Sequence, residues 1–221
     1  MCGLAGFIGG SSWSNPGAPR VLAAMLAPLA PRGPDGEGRF IDSDAAVAIG
    51  HCRLAILDLT ERAAQPMTSR CGRYVLAFNG EIYNAPALAR RLDDATRAAC
   101  GRSDTAIFLA LIARFGLDET LRSVHAMFAF ALWDRETRSL TLARDPAGIK
   151  PLFVTRRGAA VAFASTTAAL RAWPDFDPTL NRSGLALYAR LGYWPGSHSV
   201  FQRVRKIEPG EIVTIDRDGG Q

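Results

Sequence analysis

The sequence predicts an α+β layered fold, and three observations carry that expectation. Short apolar runs of strand length recur along most of the chain, separated by turn residues. Only a few stretches show helical periodicity. Strands and helices do not alternate strictly, so the pattern is not that of a βαβ parallel sheet.

In chain order, LAGFIGG (4–10) reads as a strand stopped by Gly9-Gly10. PRVLAAMLAPLAPRG (19–33) is apolar on one helical face and is halted by prolines. AAVAIGHCRLAILDL (45–59) reads as a strand. YVLAFNGEIYN (74–84) holds Asn79-Gly80 between two apolar arms, the pattern of a hairpin with a type I′ turn at that pair. APALARRLDDA (85–95) is an amphipathic helix candidate. SDTAIFLALIARFG (103–116) is the clearest helix, with Ser103 or Asp104 as cap and Gly116 at C′. MFAFALWD (127–134), SLTLARD (139–145), PLFVTRR (151–157) and AVAFAS (160–165) read as strands. SGLALYARLG (183–192) is a weaker helix, and EIVTID (211–216) is a last strand before the turn-like DRDGGQ. No internal repeat or linker divides the first part of the chain. The expectation is one domain over 1–170 with a C-terminal extension over 171–221.

With 221 residues, 48% hydrophobic and 21% charged, usage is that of an ordinary globular protein. The net charge is +5, and among the 26 basic residues only Lys150 and Lys206 are lysine. The arginines are dispersed, which predicts a solvated basic surface and no nucleic-acid partner. Cys2, Cys52, Cys71 and Cys100 form no CxxC pair, and His51, His125 and His198 are far apart, so no metal site is expected. The first apolar stretch lacks the basic flank of a secretory signal, and no run is long enough to span a membrane. A reducing cytoplasmic compartment follows as the expectation.

Cys2 directly behind Met1 has two readings. It is a small apolar residue that happens to lie at a terminus. Alternatively, aminopeptidase removal of Met1 leaves a thiol and a free α-amine on one residue, where the amine serves as base for its own side chain. Asn79 and Gly80 can form a turn. They also offer a side-chain amide and a backbone N–H that can converge on one oxyanion, and the two roles are compatible. Arg53 lies inside an apolar segment and needs a partner, either a local carboxylate such as Asp58 or the carboxylate of a substrate. Asp104 has helix capping as its default role; with Glu81 it could instead receive an ammonium group. RGPDG (32–36) reads as a plain loop. In LARDPAGIKPLF (142–153), Arg144, Asp145 and Lys150 suit a salt bridge, an interface or chemistry equally. Together these residues describe a site for an α-amino acid whose side-chain carbonyl is attacked by a thiolate.

The segments MCGLAGFIG, RGPDGEG, GHCRLAILDLTERAAQPM, FNGEIYN, SDT, MFAFALWD and ARDPAGIKPLF resemble the class II glutamine amidotransferase domain. FNGEIYN is most similar to the asparagine synthetase branch. The resemblance covers Cys2 to about Ser165 and continues loosely through VFQRVRKIEPGEIV (200–213). It implies an N-terminal nucleophile hydrolase fold, a four-layer α/β/β/α sandwich of two antiparallel sheets. It also implies hydrolysis of L-glutamine through a thioester on Cys2, with the Cys2 α-amine as base. Asn79 and Gly80 are implied as the oxyanion hole, Arg53 as the grip on the α-carboxylate, and Glu81 and Asp104 as the holders of the α-amine. The sequence departs from the family pattern at Ala106 (usually Glu), Ala126 (usually Gly) and Thr166 (usually Glu). In such synthetases a second domain uses ATP and Mg²⁺ to activate the carboxylate that takes the ammonia. No cofactor is expected in this chain itself, which reads as the amidotransferase half working with a synthetase domain or partner chain. The sequence does not fix the oligomeric state, a homodimer included. Two competing readings are a non-catalytic glutamine-binding or docking module of the same fold, and an N-terminal nucleophile hydrolase acting on another amide.

Overall fold

A two-residue alternation of buried side chains sorts the strands into two facing sheets. The structure, a computed structural model, describes residues 1–13, 17–56 and 58–216. The strands are β1 (Gly3–Ile8), β2 (Gly36–Asp42), β3 (Val47–Arg53), β4 (Met67–Thr68), β5 (Tyr74–Ile82) and β6 (Ala126–Asp134). They continue with β7 (Ser139–Arg144), β8 (Phe153–Arg157), β9 (Ala160–Ala164), β10 (Val204–Lys206) and β11 (Ile212–Ile215). One sheet runs β10-β8-β9-β1-β3-β2 and the other β11-β7-β6-β5-β4. Their strand pairs are antiparallel.

Each strand divides its side chains between two cores. Leu4 and Ile8 of β1, Val47 and Ile49 of β3, Val75 and Ala77 of β5, and Ala129, Ala131 and Trp133 of β6 meet in one cluster between the sheets. The residues between them face outward. Ala5, Phe7, Ala48 and Ala162 pack beneath α1 (Ala18–Leu26) and, further on, α6 (Thr167–Leu170). Leu76, Phe78, Phe128 and Phe130 pack beneath the helices on the opposite face. Those helices are α2 (Ala85–Leu88), α3 (Asp94–Cys100), α4 (Asp104–Phe115) and α5 (Leu117–Ser123). The result is the four-layer α/β/β/α sandwich. A last helix, α7 (Arg182–Leu191), has Gly184 as its buried residue. Within the segment expected as an extension, β10 and β11 are edge strands, one in each sheet.

Several local expectations are corrected. No turn forms at Asn79-Gly80: β5 runs straight through the pair, with Asn79 opposite Ala129 and Gly80 opposite Phe128. Gly80 is small because the neighbouring strand lies so close. A Cβ there would overlap the Met127 carbonyl oxygen and sit 2.8 Å from Phe128 Cα. The helix expected over 85–95 is broken. It is one turn followed by a 3-10 turn (Ala89–Arg91), after which Asp93 accepts from Thr96 N at 2.9 Å and caps the separate α3. The run 45–59 is strand only to Arg53, and beyond it the described residues form a loop. The closing stretch 217–221 lies outside the described residues.

Candidate active site

The rows that build the inter-sheet core end in polar residues at one end of the sandwich. On β1 the row Ile8, Leu4 leads to Cys2. On β3 the row Val47, Ile49 leads to His51 and Arg53. On β5 the row Val75, Ala77 leads to Asn79 and Glu81. Gly3 pairs with Cys52, which sets Cys2 beside the end of β3. The same alternation that fills the core thus delivers a thiol, a guanidinium, an amide and a carboxylate to a common edge.

There the thiol, the guanidinium and the carboxylate line a cavity of about 50 Å³, with Cys2, Arg53, Gly80, Glu81 and Asp104 in its wall, joined by Gln65. Asn79 is not in the cavity wall. It is 1% exposed, and its Nδ2 has no hydrogen-bond partner among the described residues. A buried amide donor left unbonded is costly in a folded protein and calls for an explanation.

Cys2 is tied to the loop after β3. Its Sγ accepts from Leu54 N at 3.4 Å, and its carbonyl accepts from Arg32 Nε at 3.2 Å. The start of β1 is fixed by Ser165, whose Oγ accepts from Leu4 N at 3.0 Å. Burial pushes the Cys2 thiol above its ordinary pKa, partly offset by a hydrogen bond with Leu54. The thiol is therefore protonated at neutral pH and needs a base to become a nucleophile.

Arg53 forms no ion pair among the described residues, with Asp58 or any other carboxylate. Its Nη1 donates to the Thr60 carbonyl at 3.0 Å and its Nη2 to the Asp58 carbonyl. Those contacts hold the side chain without neutralising its charge, which remains available to an anion.

Ser103, not Asp104, caps α4, accepting from Ala106 N at 3.1 Å. Asp104 is thereby released from capping. It accepts from Ile82 N at 2.9 Å and Thr105 N at 2.7 Å, which tie its carboxylate to the end of β5. Burial raises the pKa of Asp104. Burial likewise raises that of Glu81, with the Asp104 charge adding to it and Lys150 opposing it. Two carboxylates that share one cavity and are both raised favour a cation between them.

Sequence reasoning missed three supports. His51 is fully buried, and its Nε2 donates to the Phe78 carbonyl at 3.1 Å, joining the two sheets behind the cavity. Burial lowers its pKa to about 4, so it is neutral near pH 7. Gln65 Oε1 accepts from Phe78 N at 2.6 Å, on the other side of the same residue. The loop 32–36 is a brace: Arg32 holds Cys2, Asp35 Oδ2 accepts from Ala55 N at 2.8 Å, and Asp35 N donates to the Arg53 carbonyl at 2.9 Å. Turn residues beside an arginine were the available signal. Arg144 and Asp145 form a scaffold. Arg144 donates to the carbonyls of Lys150, Ile207 and Gly148, while Asp145 accepts from the backbone N–H groups of Phe128, Ile149 and Lys150.

Two facing antiparallel sheets between helical layers, with a cysteine one residue before a central strand, define the N-terminal nucleophile hydrolase fold. Within that class the chain belongs to the glutamine amidotransferase domain family, which it matches over residues 1–221. It is 31% identical over 223 aligned residues to asparagine synthetase [glutamine-hydrolyzing] 3 of Bacillus subtilis, covering 99% of this chain and 35% of the relative. It is 35% identical to a putative asparagine synthetase [glutamine-hydrolyzing] of Mycobacterium bovis, again covering 99% of this chain and 35% of the relative. The chain thus spans about a third of the length of these relatives. Among solved structures it shares its fold with the glutamine phosphoribosylpyrophosphate amidotransferase of B. subtilis, with TM-score 0.67 and 23% identity. That match covers 99% of this chain and 48% of that one. Among the described residues no helix is long and apolar enough to cross a membrane.

Proposed function

We propose that this chain hydrolyses L-glutamine to glutamate and ammonia, with Cys2 as nucleophile. The observation that carries the proposal is the convergence of Cys2, Arg53, Gly80, Glu81 and Asp104 on one cavity, with the unbonded Asn79 amide behind it. Arg53 grips the α-carboxylate of glutamine, and Glu81 and Asp104 receive its α-ammonium. This grip presents the side-chain amide to Cys2. Removal of Met1 frees the Cys2 α-amine, whose ordinary pKa of about 7.7–8.0 suits it to take the thiol proton near neutral pH.

The thiolate then attacks the amide carbon. Negative charge gathers on the carbonyl oxygen, where Asn79 Nδ2 and the Gly80 N–H stabilise it. The carbon–nitrogen bond breaks, and ammonia leaves with the proton held by the α-amine. Water adds to the thioester, glutamate departs and the thiol is restored. The ammonia passes to an amide-forming synthetase domain or partner chain, which uses ATP and Mg²⁺ to activate aspartate or another carboxylate. The relatives' names and their greater length support that assignment. Residues 1–170 are the catalytic core in this proposal, and 171–221 lead toward the synthetase partner.

The test is ammonia release from glutamine by the purified chain with no tag ahead of Met1, with intact mass measured on the same sample. Hydrolysis by the Met1-free form that disappears in Cys2→Ala is the expected result. Hydrolysis that survives Cys2→Ala overturns the mechanism.

A further inference from the structure

A larger cavity lies away from Cys2, with a volume of about 440 Å³. That is within the range of small-molecule sites, roughly 300–1,000 Å³. It is walled by α3, α4 and the segment that contains β4. Its lining is divided by chemistry. Met67, Leu92, Leu109 and Ala110 supply an apolar part, and Arg62, Arg70 and Arg114 supply cationic groups.

Among the described residues of the lining, the one acidic residue is Asp93. It is already engaged by Thr96 N and Thr96 Oγ1, both at 2.9 Å, and by Arg114 Nη1 at 3.4 Å. Arg62 and Arg70 have no ion-pair partner among the described residues. An apolar cavity beside guanidinium groups lacking a carboxylate is complementary to a molecule that brings both parts. Ala106, a position at which the sequence departs from the pattern it resembles, lines this cavity with a methyl group and leaves the volume open.

We propose that this cavity binds a small amphipathic carboxylate, its hydrocarbon against Met67, Leu92 and Leu109 and its carboxylate toward Arg62 and Arg70. The site is distinct from the glutamine cavity. Its occupant rests on α4, the helix that also carries Asp104.

The test uses octanoate and, as a charge-reversed control of equal chain length, octylamine, titrated calorimetrically into the full chain. Octanoate is expected to bind one per chain, at least about tenfold more tightly than octylamine. Arg70→Gln removes one exposed guanidinium and is expected to weaken octanoate about fivefold or more without changing the melting temperature. Ala106→Glu places the protein's own carboxylate in the cavity and is expected to abolish binding. This substitution falls at the third position of α4 after the Ser103 cap, where glutamate is favoured, so the variant folds. Equal affinity for octylamine, undiminished octanoate binding by Ala106→Glu, or absence of saturable octanoate binding overturns the proposal. None of these outcomes depends on glutamine hydrolysis.

Discussion

The Asn79 carboxamide sits in the inter-sheet layer, 1% exposed, with Nδ2 unbonded. If that donor is reserved for a transition state, Asn79→Ala separates activity from stability. Truncation removes a buried unsatisfied donor, relieving about 1–3 kcal/mol of desolvation cost. It also leaves a void of roughly 40 Å³, which costs about 1 kcal/mol at ~24 cal/mol per Å³. Stability is therefore expected to stay within about 1 kcal/mol of the parent or to rise by up to about 2 kcal/mol. Loss of one oxyanion donor is expected to lower kcat for glutamine hydrolysis about 10²–10³-fold, or ~2.7–4 kcal/mol. Urea denaturation gives the first quantity and coupled ammonia release the second. A variant destabilised by more than about 2 kcal/mol would show that the amide is bonded within the fold. An unchanged kcat would remove Asn79 from the chemistry.

Further outcomes follow from the same geometry. Gly80→Ala forces a Cβ against the Met127 carbonyl oxygen and is expected to part β5 from β6, lowering the melting temperature by several degrees in a thermal scan. Arg53→Lys keeps the charge but loses the guanidinium fork. KM for glutamine should rise roughly 10- to 100-fold with little change in the circular dichroism spectrum. Glu81 and Asp104 have raised pKa values, so both bind an ammonium less well when protonated. KM for glutamine is expected to fall as pH rises through their titration, and Glu81→Gln should flatten that profile. His51 is the reverse case in stability. Its folded pKa of about 4 lies below the usual value near 6.5, so the unfolded chain binds more protons between them. Stability is complete above pH 6.5 and is lost as pH falls toward 4, by a few kcal/mol at most. Denaturant midpoints at about pH 7 and about pH 4.5 measure that loss, and His51→Gln should reduce it.

The legible parts of the fold were those where burial imposes a period. The strands read over 4–10, 127–134 and 139–145 follow from side chains that must alternate between two cores, whereas the four-layer arrangement was implied by the family resemblance. β2 was not legible. Its sequence GEGRFID lies on a sheet edge with no fully buried residue, so nothing forces an apolar pattern on it. The break at Asp93 was hidden because APALARRLDDA keeps helical spacing across a cap that only the folded hydrogen bond reveals.

Asn79-Gly80 is the instructive failure. The pair carries the local signature of a tight turn, yet nine residues from Tyr74 to Ile82 pair continuously with β6. Tertiary pairing overrode local turn chemistry, and the reason lies in the neighbours. The period of two that runs through Val75 and Ala77 continues into Asn79 and Glu81 without a change of phase. A turn would have ended it. Continuing that phase also predicts where the polar ends of the rows meet. Cys2 follows from Leu4, Arg53 from Ile49, and Glu81 from Ala77, each by whole multiples of two. Strand phase puts these three on the facing inner sides of the two sheets, and they meet in the wall of one cavity. Asp104 obeys a different rule. It reaches the site because Ser103 takes the cap one residue earlier, which turns the next carboxylate toward the end of β5. The proposed site therefore assembles from two independent local choices, strand phase and helix cap. Moving the cap tests the second choice alone. Ser103→Ala is expected to cost about 1 kcal/mol of stability and to raise KM for glutamine through Asp104, with the strand residues undisturbed. An unchanged KM would mean that the Ile82 hydrogen bond alone positions the carboxylate.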